Sequence, residues 1–476
     1  MIYEPSRRAL LTVVAVAGLG VADPAAADDI YGPFATPHAV WSIFAGATHT
    51  DNATLAPDGP SDTIATAGLA GSLYRDTGRF KAALDGSVRY EDYTQGTFDS
   101  HVLGSLVTNA TYAFVPERFF WVLEDTYGQV NIDPLLPVTP QNRINANYLV
   151  TGPEGDLRLG GTVDLLLGAR YSEADFESNP VAQVDNHSVA GKLGLRFALS
   201  GSSSVSLNTA FTRVTYRVDG SPSYDQADAF VRFDARSPRG GIAFDGGVSQ
   251  LRDEGVNTNH PLVRLTAFHR LTPSWNVNLA AGTELQNSGQ ALQAAFGGQR
   301  VLNGQLTGGS SGPGSGGGTL PADINLSLAP FRSDYASLSF DYVRPRTTLD
   351  LSVDATRQRY QAGAGALDRN TTAGRAGFTR RLRPTLDFTL SGSVERRTPT
   401  GDLPGDDTKT GRVGLAWRAG ALLAVTLEYS HEERSTDTGG FPYTVNLAYL
   451  GLTYGPPRPR VAFETPVPAG VAAPKP

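Results

Sequence analysis

Hydrophobic and polar residues alternate along most of this chain, from about residue 38 to about residue 454. Within 80–90 the two sets are Phe80, Ala82, Leu84, Val88 and Tyr90 against Lys81, Asp85, Ser87 and Arg89. The same period of two recurs in 163–171, 349–354 and 386–395, with Leu166 as an exception. Successive side chains of a β-strand point to opposite faces, so each segment predicts a strand with one apolar and one hydrated face.

The length of these segments distinguishes them from the strands of soluble proteins. They run for about 13 to 16 residues, whereas strands in globular domains are usually about 5 or 6 residues long. At roughly 3.3 Å per residue and a tilt near 40°, such a strand rises about 33 to 40 Å, which exceeds an apolar membrane band of about 25 Å. The segments therefore favour strands that cross a membrane.

Short and longer links alternate between the predicted strands. The short links are 76–79, 116–118, 160–161, 200–202, 237–240, 272–274, 344–346, 383–385 and 418–420. The longer links are 51–61, 93–98, 130–142, 177–186, 219–223, 254–260, 288–331, 361–369, 399–406 and 435–440. Nine short and ten longer links separate twenty strands. They predict an all-β, single-domain, antiparallel transmembrane β-barrel of about 20 strands (18 to 22), with short periplasmic turns and longer extracellular loops. Both ends of the barrel then lie on the periplasmic side.

Aromatic residues cluster beside the short links, as expected for rings at a lipid headgroup boundary. They are Phe80, Phe114, Phe119, Phe120, Trp121, Phe197, Trp275 and Trp417. A closed barrel also satisfies every backbone N–H and C=O group in hydrocarbon, where no water is available to pair with them. The interpretation is an outer-membrane protein of a Gram-negative bacterium.

The two ends of the chain differ from the barrel region. Arg7 and Arg8, the apolar run 9–21 and the small residues 25–27 have the order of a secretory signal peptide. We therefore assign 1–27 to a signal peptide, 28–455 to the barrel and 456–476 to a Pro-rich disordered periplasmic tail. Within the barrel region, 288–331 is a long Gly/Ser-rich loop that either folds inward as a constriction or extends outside.

Composition narrows the possible chemistry. The chain has no cysteine and a formal charge of −7, which excludes disulfides and thiolate metal sites and disfavours a nucleic-acid partner. Its seven histidines are scattered without metal-ligand spacing. His187 and Ser188 are neighbours in a predicted strand and so point to opposite faces, where they cannot act as base and nucleophile. We expect no enzyme activity, no cofactor and no metal site.

The hydrated faces predict what lines the barrel interior. The lumen-lining candidates carry both signs of charge and are Lys81, Asp85, Arg89, Asp164, Arg170, Lys192, Arg196, Arg264, Asp350 and Asp354. A barrel of about twenty strands is wide enough for a water-filled lumen. The residues thus predict a polar lumen, and the 288–331 loop is the segment expected to fill or constrict it if it folds inward.

A set of short motifs between residues 38 and 200 carries a family resemblance. It comprises Thr50-Asp51-Asn52, residues 125–129, Asp133-Pro134, residues 139–143, Asn145, Asn147 and Thr151-Gly152-Pro153. Together these motifs resemble the outer-membrane β-barrel proteins associated with PEP-CTERM/exosortase systems and exopolysaccharide loci. The resemblance implies a barrel whose genes accompany polysaccharide biosynthesis and export, and it brings no catalytic residues.

Two classes of function follow from these observations. The first is a porin-like channel linked to surface polysaccharide or exopolysaccharide export. The second is a structural barrel that presents external loops for surface attachment, without transport. Asn142, Arg143, Asn145 and Asn147 form a possible glycan-contact cluster, or they only hold an external loop against the barrel wall. The expected partners are membrane lipid, lipopolysaccharide, the barrel-assembly machinery and polysaccharide.

Overall fold

A computed structural model describes residues 38–133, 135–177, 184–217, 223–253, 256–290, 300–302, 305–307, 327–361, 364–400, 403–437 and 440–456. Its strands are β1 (His38–Thr50), β2 (Asp62–Asp76), β3 (Phe80–Tyr93), β4 (His101–Val115), β5 (Phe119–Asn131), β6 (Arg143–Arg158), β7 (Val163–Phe176), β8 (Asn186–Ser200), β9 (Ser203–Tyr216), β10 (Tyr224–Ser237) and β11 (Gly240–Asp253). They continue as β12 (Val256–Thr272), β13 (Trp275–Gln286), β14 (Arg300–Leu302), β15 (Gln305–Thr307), β16 (Phe331–Arg344), β17 (Thr347–Tyr360), β18 (Arg369–Arg383), β19 (Leu386–Pro399), β20 (Asp406–Arg418), β21 (Leu423–Thr436) and β22 (Tyr443–Tyr454).

Twenty of these strands form one closed antiparallel barrel, which confirms the predicted fold. Each strand pairs with its neighbour in the chain, and the barrel closes where β1 pairs with β22 from Ile43↔Tyr454 to Thr50↔Leu447. The hairpin of β14 and β15 lies outside the barrel sheet, in the link between β13 and β16. Short 3₁₀ turns occur at Pro140–Asn142 and Gly365–Leu367.

The alternation of the sequence becomes the inside and the outside of the barrel. On β3, Val88 and Tyr90 are exposed on the outer face, whereas Asp85 and Arg89 are buried on the inner face. Leu69 of β2 pairs with Val88 and shares its face. Because paired residues of an antiparallel ladder lie on one side of the sheet, the register carries this assignment around the barrel.

The nine short links of the prediction all connect consecutive strands at one rim, and β1 begins and β22 ends at that same rim.

One longer link differs from the prediction. Residues 254–260 were expected to form a loop, but β12 begins at Val256 and pairs with β11 through Pro261. The pairing of β12 with β13 starts only at Val263, so Pro261 faces no partner on that side. A missing N–H is tolerated at such a free edge.

Gly152 marks an irregularity in β6. The β6–β7 register runs from Thr151↔Tyr171 directly to Glu154↔Gly168, so residues 152 and 153 have no paired partner in β7. A Cβ atom at Gly152 would lie 2.1 Å from the carbonyl oxygen of Ala169. Only glycine permits this approach of the two backbones, and the register between β6 and β7 is the same on both sides of the interruption.

Aromatic rings surround the outside of the short-turn rim. Trp41, Phe114, Trp121 and Trp417 are all exposed on the outer face of their strands. Several rings contact one another across neighbouring strands, including Trp41–Tyr454 at 6.1 Å and Trp275–Tyr342 at 4.8 Å between ring centroids. Phe120 differs from its neighbours, because the alternation of β5 turns it toward the lumen. The other rings form the belt that a headgroup boundary favours.

The signal peptide predicted for 1–27 and the tail predicted for 456–476 fall outside the described residues, apart from Pro456. Most of the 288–331 loop does too. Among the described residues, no helix has the length and the apolar content that crossing a bilayer requires.

Candidate functional site: the barrel lumen and its loop-side mouth

Charged side chains line the inner face from the short-turn rim to mid-depth and are paired between nearby strands. Nη2 of Arg196 lies 2.6 Å from Asp156 and 2.8 Å from Asp164. Arg170 pairs with Glu154 on the adjacent strand. Inward positions of neighbouring strands are close enough for such pairs because the register brings like faces together. The inner wall therefore combines fixed charges of both signs with access to water.

The ion pairs continue around the rest of the wall. Nε of Arg264 lies 2.6 Å from Glu284, its Nη1 lies 3.4 Å from Asp245, and its guanidinium carbon lies 5.9 Å from the Phe230 ring centroid. On the far side, Arg375 lies 2.8 Å from Asp354. A ring of paired charges is thus built from strands spread over the whole circumference.

The structure places the ten lumen candidates on inward positions of their strands. Arg89 is buried and forms a 2.8 Å ion pair with Glu91, and Asp85 accepts a hydrogen bond from the Ser72 hydroxyl. Lys81 lies 3.6 Å from Asp76 near the short-turn rim. The Asp350 carboxylate lies against Gly377 of β18. The set extends from the short-turn rim toward the loop-side half of the lumen.

An apolar layer fills the lumen at the opposite, loop-side end. Its core is one connected cluster of buried residues, Val107, Val130, Ile144, Ala146, Tyr148, Ala174, Phe176, Val184, Phe331 and Tyr360. β5–β7 and β16–β17 are on opposite sides of the barrel, so this cluster bridges the opening. A second cluster of Val214, Tyr216, Tyr224, Leu251 and Leu285 adjoins it, and Leu328 packs against both. We call the two clusters together the mouth layer.

Both described ends of the β13–β16 link contribute to the mouth layer. Nδ2 of Asn287 donates to the Tyr224 hydroxyl at 3.1 Å, and Ser288 Oγ donates to the Ser327 carbonyl at 2.9 Å. Asn287, Ser288, Ser327 and Tyr224 are all buried. The described residues at both ends of the link therefore lie inside the barrel opening.

A buried ion cluster ties a second loop across the mouth. Asp406 of β20 lies 2.9 Å from Arg397 and 3.0 Å from Arg434, and all three side chains are at most 5% exposed. Nη2 of Arg434 also donates to the carbonyl of Leu135 at 2.6 Å. Leu135 belongs to the β5–β6 link, so this bond joins parts of the barrel that are not neighbours in the sheet.

The four residues of the possible glycan-contact cluster are engaged within the protein. Asn142 is buried, accepts a hydrogen bond from the backbone N–H of Asp133 at 2.9 Å and donates to the carbonyl of Asp133 at 2.8 Å. Arg143 donates to the carbonyl of Val138 at 3.2 Å. These bonds connect Asn142 and Arg143 to backbone groups of the β5–β6 link.

Asn145 and Asn147 lie on the outer face of β6 rather than in the mouth. Asn145 donates to Glu177 at 2.9 Å, and Asn147 donates to Asp125 at 2.8 Å. Odd-numbered positions here point outward because Ile144, Ala146 and Tyr148 occupy the inner face. The four residues therefore do not converge on one sugar-sized site.

His187 and Ser188 lie on opposite faces of β8. His187 packs beside the outward Tyr171 ring, whereas the Ser188 hydroxyl lies 2.5 Å from the Ser172 hydroxyl on the inner face. Within the described residues, no group of three or more His, Asp or Glu side chains is arranged to hold a metal ion.

The mouth layer is the feature that sequence reasoning missed. Its members occupy inward positions near strand ends, where Val130, Ile144, Tyr148, Val214 and Tyr216 replace the polar residues expected there. The available signal was this break in alternation near the long links. Read alone, such a break looks like an irregular strand end.

The fold and its surfaces define a class. A closed 20-stranded barrel with an apolar outer face, an aromatic belt and a charged lumen is an outer-membrane β-barrel protein, and the chain lies in the outer membrane of a Gram-negative bacterium.

Three kinds of comparison with known proteins were made. No family model matches the chain, and no curated protein matches it. Among solved structures, the FrpB iron transporter of Neisseria meningitidis (F3-3 variant) aligns at 8% identity with a TM-score of 0.42, over 87% of this chain and 81% of that one. The siderophore receptor PirA of Pseudomonas aeruginosa aligns at 10% identity with a TM-score of 0.41, over 88% and 80%.

A mutant of the ferric enterobactin receptor PfeA of Pseudomonas aeruginosa gives similar values, with 9% identity, a TM-score of 0.43 and coverage of 89% and 81%. At such identities and TM-scores, these likenesses carry no argument about the function of this chain.

Proposed function

We propose that the protein is a porin-like channel for polar solutes, linked to the export of surface or exopolysaccharide. The observation that supports a channel is the ring of paired charges on the inner wall, from Arg196 with Asp156 to Arg375 with Asp354. Removing charged groups from water is costly, so half-exposed charges along the inner wall favour a hydrated lumen, and they would make such a lumen ion-selective. The protein has no enzymatic role in this proposal.

The mouth layer sets the expected size of the passage. Apolar constrictions limit conduction by excluding water, so the barrel conducts through narrow routes beside the layer rather than through its full width. A small unitary current is therefore expected for a barrel of this strand number.

The link to polysaccharide depends on the family resemblance of residues 38–200. The partners proposed with it are outer-membrane lipid, lipopolysaccharide, the barrel-assembly machinery and the polysaccharide itself. Because the described bonds of Asn142, Arg143, Asn145 and Asn147 are internal, polysaccharide contact is assigned to the lumen rather than to these four residues.

Single-channel recording in planar bilayers tests the channel. The wild-type chain should give a small, steady unitary current, and Arg170→Gln, which removes an inward guanidinium, should change its ion selectivity. The matched control is Arg396→Gln, on the outer face of β19 with a largely exposed side chain. A folded barrel that never conducts would contradict the proposal.

A structural barrel that presents external loops is the second candidate. The bond from Arg434 to the Leu135 carbonyl and the contact of Asn287 with Tyr224 favour it, because they fasten two links over the opening. A silent barrel with intact loops would support this candidate.

A further inference from the structure

A groove with a small-residue floor crosses the outer face of β8–β11. The floor consists of Gly191, Thr209, Ala227 and Ala229, and the walls include Leu193, Phe211 and Val248. The register brings the floor together, since Ala227 pairs with Phe211 and Ala229 pairs with both Thr209 and Val248. A Cβ atom built on Gly191 would have no atom of the described structure within 4 Å, so the surface there is open.

The loop-side end of the groove is cationic. Asp225 of β10 is paired in register with Arg213 of β9 and with Arg252 of β11, and all three lie on the outer face. Nε of Arg213 lies 3.3 Å from Asp225, and the Arg213 side chain is 66% exposed. The carboxylate thus fixes one edge of a guanidinium while the row as a whole has one excess positive charge. Gln250, two residues before Arg252 on β11, and its register partner Asn259 on β12 add amide groups nearer the middle of the membrane.

The depth of these groups fits a lipid boundary. Arg213 is ten residues beyond Ser203, where β9 leaves its short turn. At about 2.5 Å of rise per residue for a tilted strand, this is about 25 Å from the short-turn rim, the height of the apolar band itself. The Arg213–Asp225–Arg252 row therefore lies at the headgroup level of the outer leaflet, and the small-residue floor lies just inside the acyl region.

We propose that this surface is a binding site for the phosphorylated, acylated glycolipid of the outer leaflet, the lipid A portion of lipopolysaccharide. Arg213 and Arg252 stand on either side of Asp225, and the guanidinium edges that this carboxylate leaves open are the donors for one phosphate, which guanidinium groups bind through charge-assisted hydrogen bonds. An acyl chain lies over Gly191, Ala227 and Ala229, where small side chains leave room between Leu193 and Phe211. The site requires the barrel to be in the membrane with its long links outside, and it does not require a channel.

Titration of the purified full-length barrel with lipid A, followed by native mass spectrometry, tests the site. The double variant Arg213→Gln/Arg252→Gln should bind lipid A at least about tenfold more weakly than the wild-type chain, because two charge-assisted contacts are lost. Gly191→Leu should also weaken binding, because its side chain occupies the groove. Each variant must first show the heat-modifiable gel mobility of the folded barrel.

Matched substitutions on another outward patch provide the control. Arg396→Gln on β19 and Gly411→Leu on β20 change the same residue types, and a Cβ atom on Gly411 also meets nothing within 4 Å. These variants should bind lipid A as the wild-type chain does. An equal loss of binding in the controls would overturn the proposal in favour of general surface charge.

Two other outcomes would also overturn it. If Gly191→Leu binds like the wild-type chain while the arginine variant does not, the groove takes no acyl chain. If inorganic phosphate displaces lipid A completely, the row binds free anions rather than a lipid. None of these outcomes depends on conductance, so failure of this site and failure of the proposed channel are distinguishable.

Discussion

The two ends of the lumen are built from the same strands but from different chemistry. Toward the short turns and at mid-depth, inward positions carry exposed or half-buried ion pairs such as Arg196 with Asp164. Toward the long links, inward positions carry Phe331, Tyr360 and Val130, which have lost nearly all contact with solvent. An inward position is therefore hydrated at one depth and dry at another.

Neighbours across the lumen account for the difference. At mid-depth, a side chain meets only its own wall and water, so charge is tolerated when it is paired. At the mouth, links fold inward and remove the water, and apolar contacts or fully satisfied ion clusters are then favoured. Asp406 illustrates the second case, because it is 5% exposed and contacts two buried arginines.

The largest expected change in the free energy of unfolding comes from a substitution in the buried ion cluster of Asp406, Arg397 and Arg434. Asp406→Ala leaves Arg397 and Arg434 without their shared carboxylate, and loss of one partner of a buried pair costs about 3–5 kcal/mol. Urea-induced unfolding in lipid vesicles, followed by tryptophan fluorescence, measures the change.

The neighbouring Asp407 gives the control for that variant. It lies on the outer face, 3.6 Å from an Arg396 side chain that is 71% exposed. Because surface ion pairs contribute at most about 1 kcal/mol, Asp407→Ala should unfold close to the wild-type urea concentration. Equal destabilisation of the two variants would contradict the assigned difference in burial.

Truncation of an aromatic ring in the mouth layer comes next. Phe331 is 1% exposed and lies 5.0 Å from the Tyr360 ring centroid, so Phe331→Ala should destabilise the barrel by about 3 kcal/mol or more and enlarge the opening. Single-channel conductance should rise above that of the wild-type chain.

Leu338→Ala is the matched control, since Leu338 lies on the same strand but faces outward and is 37% exposed. Its conductance should equal that of the wild-type chain. If Phe331→Ala conducts no better than Leu338→Ala, the mouth layer does not restrict the passage.

A smaller effect is expected on ion selectivity in the hydrated half. Arg196→Gln removes the positive charge between Asp156 and Asp164, so the inner wall becomes more negative at that depth. The reversal potential in a salt gradient should shift toward cation selectivity. Arg396→Gln, on the outer face of β19, should leave the reversal potential unchanged, and a shift of the same size there would contradict the inward assignment.

The smallest effect concerns Asp51, in the link after β1. The side-chain and backbone N–H groups of Asn446 donate to its carboxylate at 2.6 and 2.7 Å and lower the pKa of Asp51 below its ordinary value of 3.8. A lowered folded-state pKa stabilises the barrel above the ordinary value and loses that contribution as the pH falls through the folded-state pKa. The group is exposed, so the contribution is small.

Asp51→Asn should therefore lower the thermal unfolding midpoint slightly at pH 7, and this difference should shrink as the pH falls through the folded-state pKa of Asp51. Thermal scans of the two chains at pH 7 and at acidic pH measure the difference. A gap that does not shrink at acidic pH would show that the effect is not electrostatic.

Much of the architecture was predictable from residue types and spacing. Alternation over 80–90 and 163–171 predicted which side chains of β3 and β7 face inward, because a strand has a period of two regardless of its surroundings. Alternating link lengths predicted twenty strands, and the structure confirms that number. The predicted 254–260 loop was wrong because β11 extends its pairing to Val256, which local sequence does not encode.

Sequence by itself determined the two faces of each strand, the number of strands and the closure of the sheet, since these follow from local periodicity and from the need to pair every backbone group in hydrocarbon. Only the tertiary structure decided which inward side chains are dry, how Leu135 reaches Arg434, and where Gly191 and Ala227 leave a groove beside Arg213. These features depend on contacts between residues far apart in the chain, and such contacts exist only once the barrel has closed.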